Sequence, residues 1–69
     1  MNLVEHYIEN VFSETDVTKE FEKSNGYAPH ERIYLIDMDV NCYGVKERVQ
    51  RCFFESELIS AKKNGYYMA

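Results

Sequence analysis

The sequence predicts a single small α+β domain over residues 1–69. Three patterns predict it: an amphipathic run at 2–12, two β-type runs at about 32–42 and 45–54, and a last amphipathic run at about 56–64. A chain of this length forms one domain and buries only about 60% of its unfolded surface. Such domains often need a staple, a metal or a partner subunit.

The first run predicts an N-terminal helix. Asn2 is a favourable N-cap residue, and Glu5 follows three positions later, as in a capping box. Apolar residues recur at the i, i+3 and i+4 spacing of one helix face, at Leu3, Val4, Tyr7, Ile8, Val11 and Phe12. We therefore expect an amphipathic helix from Asn2 to Phe12.

The next segment, at about 15–24, is compatible with two structures. Its lysines and glutamates form helices more readily than strands, and Asp16 is placed to favour a helix N-terminus. A period of two, with Val17 and Phe21 on one side, would instead make an edge strand. The segment Ser24-Asn25-Gly26 ends the element in either case.

The two β-type runs predict an antiparallel hairpin that reverses at Tyr43-Gly44. With a two-residue connection the facing pairs are Cys42 with Val45, Asn41 with Lys46, Asp39 with Arg48, Met38 with Val49, Asp37 with Gln50 and Tyr34 with Phe53. Opposite charges directly across an antiparallel pair stabilise it by a few tenths to about 1 kcal/mol. A slip by one residue would instead place Asp39 against Glu47. The alternative is a type I turn over residues 41–44, which gives a three-residue loop.

The last run predicts a C-terminal helix over about 56–64, capped by Ser56. Glutamates lie near its first turn and lysines in its last turn, which is the order that the helix dipole favours. Gly65 supplies the left-handed residue that commonly follows a helix.

Residues 33–40, with the sequence IYLIDMDV, resemble the first motif of the haloacid-dehalogenase superfamily of phosphatases. The resemblance implies Asp37 as a nucleophile, Asp39 as a general acid/base, and magnesium. The continuation NCYG departs from the family, and the 30 residues after Asp39 are too few for its Rossmann-like sheet. We therefore predict no enzyme activity, no catalytic residue and no cofactor.

The histidines and cysteines are the residue types of a zinc site, but no two of them have the spacing of a short chelating loop. In the hairpin, Cys42 lies at the turn and Cys52 lies about seven residues along the other strand, roughly 23 Å away. That separation is also too long for a disulfide. We predict neither a metal site nor a disulfide.

The net charge of −4 is unfavourable for non-specific nucleic-acid binding. The first residues, MNLVEHYIEN, have neither the basic region nor the apolar run of a signal peptide. No apolar stretch approaches the roughly 20 residues of a membrane span. We expect a cytoplasmic protein with reduced thiols that does not enter a membrane.

The expected function is non-catalytic protein binding. Compact, acidic, tyrosine-rich chains are typical of small regulators and inhibitors, including those that phages and prophages carry against host enzymes or defence systems, an analogy from size and composition. The alternative is a nucleic-acid-binding regulator that uses the basic second strand. The candidate partner-binding residues are Tyr43, Lys46, Arg48, Arg51, Tyr66 and Tyr67.

We also expect a homodimer. A two-stranded sheet has two open edges, and twofold dimers commonly complete so small a core. The dimer would pair hairpin edges or pack the first helices together. The competing expectation is that Val17 to Ser24 supplies a third strand and makes the monomer sufficient.

Overall fold

The computed structural model describes residues 3–69 and has two helices and one four-stranded antiparallel sheet. In chain order the elements are β1 (Glu5–Asp16), α1 (Thr18–Asn25), β2 (Ile33–Cys42), β3 (Val45–Phe54), α2 (Glu55–Asn64) and β4 (Tyr66–Met68). The predicted α+β class, the hairpin and the C-terminal helix are confirmed.

The strand order in the sheet is β3-β2-β1-β4. Taken from the other edge this is 4-1-2-3, the order of a Greek key, in which the fourth strand returns beside the first. Helix α2 makes that return, since it follows β3 at one edge, packs against β2, β3 and β4, and leads into β4 at the other edge. One face of the sheet is therefore covered by α2.

The hydrophobic core lies between this covered face and α2. The buried cluster consists of Ile36, Met38 and Val40 of β2, Phe53 of β3, and Leu58 and Ala61 of α2. The three β2 residues are at most 1% exposed. They alternate with the two aspartates of β2, whose side chains therefore lie on the opposite face.

The predicted N-terminal helix is wrong, because residues Glu5–Asp16 form strand β1. Two β-bulges each add one residue to β1 relative to β2. On the covered face a three-residue step along β1 therefore matches a two-residue step along β2, and the pairs are Ile8 with Val40, Val11 with Met38, and Glu14 with Ile36. That three-residue step imitates the spacing of a helix face. The predicted Asn2 cap lies outside the described residues.

The undecided segment after β1 is a helix, α1. The Asp16 carboxylate accepts hydrogen bonds from the backbone N–H and the hydroxyl of Thr18, and Gly26 ends the helix in the left-handed region at φ 76°. The Thr18 hydroxyl in turn accepts the N–H of Ile33 at 3.0 Å. These contacts hold α1 against the beginning of β2.

The hairpin forms in the predicted register, from Ile33 opposite Phe54 to Cys42 opposite Val45. Its turn residues have φ values of 51° at Tyr43 and 83° at Gly44. Two positive φ angles are characteristic of a type I′ turn, whose twist matches that of the strands it joins. The three-residue alternative is therefore not formed.

Helix α2 begins one residue earlier than predicted and is not capped by Ser56. The Glu57 side chain accepts the N–H of Phe54 at 3.0 Å, whereas Ser56 donates its N–H and its hydroxyl to the Glu31 carboxylate. Gly65 follows the helix at φ 81°, as predicted.

Strand β4 was not predicted. Residues Tyr66–Met68 pair with Glu5–Tyr7 of β1, and Val4 and Ala69 exchange two backbone hydrogen bonds of 3.0 Å just beyond this pair. The hairpin is therefore extended by β1 and β4, and not by a strand from Val17 to Ser24.

Candidate functional site

The face of the sheet opposite α2 is the candidate site, and we call it the open face. Side chains that lie directly opposite each other on paired strands share a face, so the strand pairing assigns to it Glu5, Tyr7, Asp37, Asp39, Asn41, Lys46, Arg48 and Tyr66. Glu9 and Phe12 are the extra residues of the two bulges, and their contacts with Lys46 and Arg48 place them on the same face. Helix α1 packs at one end of this surface, beside Ile33 of β2, and Phe21 of α1 lines a cavity there with Cys52 and Phe54 of β3. Within residues 3–69 the rest of the open face carries no second layer.

Aromatic side chains are half exposed on the open face. Tyr7 and Phe12 are 49% and 50% exposed. The Tyr7 ring lies 5.4 Å from the ring of Tyr66, the residue of β4 that pairs with Tyr7. The Tyr7 hydroxyl donates to the Glu5 carboxylate, and this bond raises the pKa of Tyr7 above its usual value. Tyr7 and Tyr43 also line one shallow depression at the turn end of the sheet.

The Arg48 guanidinium contacts side chains of two other strands on the open face, Asp37 of β2 and Phe12 of β1. It donates to both oxygens of Asp37, at 3.0 and 2.9 Å, and lies 4.3 Å from the centre of the Phe12 ring. The hydrogen bonds from Arg48 hold the pKa of the Asp37 carboxyl below its ordinary value. The expected ion pair between Asp39 and Arg48 is therefore wrong, because Arg48 pairs with Asp37. Asp39 and Arg48 do face each other in the backbone register, as predicted. Arg48 pairs with the diagonal neighbour instead.

A second ion pair lies nearer the turn, with Lys46 Nζ 3.9 Å from Glu9 Oε1. Both ion pairs are largely solvent-exposed on their basic side, and such pairs contribute little to stability. Their main consequence is electrostatic, because each pair neutralises one of the two basic side chains of the open face.

The structure divides the six predicted partner-binding residues between the two faces. Lys46, Arg48 and Tyr66 lie on the open face, and Tyr43, 85% exposed, lies at its turn end. Arg51 and Tyr67 lie on the covered face, where the Arg51 guanidinium is 4.8 Å from the centre of the Tyr67 ring. These last two side chains pack within the fold.

Sequence reasoning missed Tyr7 and Phe12 as surface residues, because both were assigned to the buried stripe of a helix. As a strand, β1 places Tyr7 on the face opposite to Ile8. The only sequence signal for this is the strand preference of the residues in this segment, which the two bulges obscure.

The chemistry available on the open face is limited. Both oxygens of Asp37, the residue that the phosphatase motif would make a nucleophile, accept hydrogen bonds from Arg48. Among residues 3–69 no group of three or more His, Cys, Asp or Glu side chains is placed to hold a metal ion. Neither helix of the described chain is long and apolar enough to cross a membrane.

Comparisons of the chain with protein-family models, with curated proteins and with solved structures found no match. The function must therefore be inferred from the geometry of the open face.

The Asp37–Arg48 pair gives a first prediction. Arg48→Met should raise the pKa of Asp37, because the two charge-assisted hydrogen bonds are lost. In the wild type the lowered pKa stabilises the fold at pH values above the unfolded value of about 3.9, and this contribution is lost as the pH falls through the folded value. Carboxyl ¹³C NMR titration of Asp37 measures the shift. Lys46→Met, on the same strand and face, is the matched control and should leave the Asp37 titration unchanged.

Proposed function

We propose that this chain is a non-catalytic protein-binding module whose binding surface is the open face. The observation that carries the proposal is the pair of half-exposed rings, Tyr7 and Phe12, which strand β1 presents on the open face. A small regulator or inhibitor of a host enzyme or defence system, of the kind that phages and prophages carry, fits this description. The proposal includes a cytoplasmic location, in keeping with the two free cysteines.

The rings are held in position before any partner arrives. Phe12 lies under the Arg48 guanidinium, which also donates two hydrogen bonds to Asp37, and Tyr7 packs beside Tyr66. Aromatic and arginine side chains supply much of the energy of protein interfaces. Side chains that are already ordered lose less conformational entropy on binding, so these two groups of side chains are suited to anchor an interface.

The charge of the open face indicates the character of the partner. Lys46 and Arg48 are paired with Glu9 and Asp37, while Asp39 makes no ion pair among residues 3–69. With a net charge of −4, the surface is complementary to a partner that presents basic groups around an apolar patch. Association with such a partner should slow as salt is added.

The alternative of nucleic-acid binding gains no support from the arrangement of the basic side chains on β3. The side chains of β3 alternate between faces, so Arg51 lies away from Lys46 and Arg48, and the latter two are already neutralised by carboxylates. A continuous basic surface is what phosphate binding requires. Fluorescence anisotropy with single-stranded DNA and RNA at low salt is the direct check, and salt-sensitive binding would favour the alternative.

The second prediction tests the open face by affinity capture. Tyr7→Ser combined with Phe12→Ser should abolish capture of a protein that the tagged wild type retains, because both anchoring rings are lost. Ile59→Ser is the control, since Ile59 is an apolar residue on α2 that is somewhat more exposed, at 60%, than either ring. The captured protein is then purified, and its affinity for all three chains is measured by calorimetry.

The proposal requires a loss of at least about tenfold in affinity for the double variant and little change for Ile59→Ser. Far-ultraviolet circular dichroism must show that both variants are folded. Equal binding by the wild type and the double variant would place the interface elsewhere.

A further inference from the structure

The free edge of β3 is the longest regular unpaired edge in the described sheet. All ten residues of β3 pair with β2 without a register shift, and within residues 3–69 no strand pairs with its other side. At the opposite side of the sheet β4 is only three residues long and β1 contains two bulges. Bulges and short strands protect an edge, whereas a regular unpaired strand is a template for another chain.

The backbone groups on this edge alternate. In a hairpin closed by a two-residue turn, the pair next to the turn exchanges both hydrogen bonds and every second pair does the same. The β3 residues whose backbone groups form hydrogen bonds with β2 are therefore every second residue from Val45, and Val49 is one of them. The outward-pointing N–H and C=O groups belong to Lys46, Arg48, Gln50 and Cys52.

The charged side chains of β3 also divide by face. Lys46 and Arg48, on the open face, already have acidic partners. Glu47 and Arg51, on the covered face, make no ion pair among residues 3–69, and the buried Arg51 Nε has no hydrogen-bond acceptor there. These two opposite charges lie two residues before and two residues after Val49.

We propose that the chain forms a twofold symmetric homodimer in which β3 pairs antiparallel with β3 of a second copy, with Val49 opposite Val49. Because the twofold axis relates position 49 − n to position 49 + n, Glu47 of each copy lies opposite Arg51 of the other. Lys46 then lies opposite Cys52 and Arg48 opposite Gln50, so the outward backbone groups of both copies meet in hydrogen-bonded pairs. The result is one continuous eight-stranded sheet, and the open face stays available for a different partner.

Charge selects this register over its neighbours. Twofold pairing keeps each side chain on its own face, so the axis can move only by whole residues along β3. Centred on Arg48, the pairing sets two guanidinium groups against each other, and centred on Glu47 it sets two carboxylates against each other. Centred on Gln50 or Arg51, it leaves Glu47 without a basic partner. Only the Val49 register forms two opposite-charge pairs and no like-charge pair.

The test is a charge exchange followed by mixing. Glu47→Arg should weaken the dimer at least about tenfold, because two attractive pairs become two repulsive ones. Arg51→Glu should do the same, since it places two carboxylates opposite each other. An equimolar mixture of the two variants should dimerise again, because the arginine introduced at position 47 of one chain then faces the glutamate introduced at position 51 of the other. The unchanged Arg51 of the first chain likewise faces the unchanged Glu47 of the second. Sedimentation equilibrium from about 1 µM to 1 mM measures all four samples.

Lys46→Glu is the matched control, since position 46 lies opposite the uncharged Cys52. It should leave the dimer within about threefold of the wild type. If non-specific repulsion between acidic chains set the dimer affinity, Lys46→Glu would weaken the dimer more than Glu47→Arg. Lys46→Glu makes the net charge more negative, whereas Glu47→Arg makes it less negative. Should Arg51→Glu fail to fold for want of its contact with Tyr67, the comparison of Glu47→Arg with Lys46→Glu decides by itself. A wild type that is monomeric over the whole range, or a Glu47→Arg chain that dimerises as well as the wild type, overturns the proposal.

Discussion

Met38→Ala is expected to leave a large fraction of the chain unfolded at room temperature. Met38 is completely buried in β2, between neighbouring strands and under α2. Truncating a buried methionine to alanine costs about 2–5 kcal/mol, and a core of this size rarely supplies more than about 3–5 kcal/mol in total. A single cavity is therefore comparable with the whole stability of the domain.

Urea denaturation followed by circular dichroism measures the loss. Met68→Ala makes the same chemical change at a position that is 44% exposed, and it should cost less than about 1 kcal/mol. If the two variants have the same midpoint, the core does not lie between β2 and α2 as described.

The hairpin and α2 were predictable from sequence because local signals define them. The turn at Tyr43-Gly44, the charges along both strands and the glycine after α2 each act within a few residues of the element that they define. The choice of Asp37 over Asp39 by Arg48 was not predictable in this way. It depends on side-chain reach and on the position of Phe12, which comes from another strand.

The identity of β1 was not predictable, because the bulges change the period by which a strand is recognised. A strand is identified by its two-residue alternation, and β1 replaces it with three-residue steps at Ile8, Val11 and Glu14. The bulges are defined by the pairing with β2, which is a tertiary interaction. The same error concealed Tyr7 and Phe12, so both exposed rings of β1 in the candidate site depended on recognising one strand.

The position of β4 depends entirely on contacts with distant residues. Three residues are too few to show any periodicity, and the pairing partner of β4 lies about 60 residues earlier in the chain. Tyr67 therefore looked like a surface tyrosine, whereas its ring packs against side chains of β1 and β3.

Tyr67→Ala is accordingly the second substitution expected to have a large effect. The Tyr67 ring stacks on His6 at 5.2 Å and meets the Phe53 ring edge-on at the same distance, while the Arg51 guanidinium lies 4.8 Å from it. One side chain thus joins β4 to both β1 and β3. Burial also raises the pKa of the Tyr67 phenol, which is consistent with a ring removed from water.

We expect Tyr67→Ala to destabilise the domain by about 2–3 kcal/mol, less than for a fully buried aromatic residue because part of the ring remains exposed. In a domain of this size that corresponds to a fall in Tm of roughly 10 °C or more. Tyr67→Phe keeps the ring and should stay close to the wild type. Tyr43→Ala, a tyrosine truncation at an 85% exposed position, should change Tm far less.

These controls separate the contributions of the ring and of the hydroxyl group. If Tyr67→Phe loses as much stability as Tyr67→Ala, the hydroxyl and not the aromatic packing fixes β4. If neither variant loses stability, β4 adds nothing to the stability of the fold, and β1 is held in the sheet by its pairing with β2 alone. The expected order, with Ala far below Phe and Phe near the wild type, follows from the three ring contacts. It would establish Tyr67 as the residue that joins the last strand of the chain to the core.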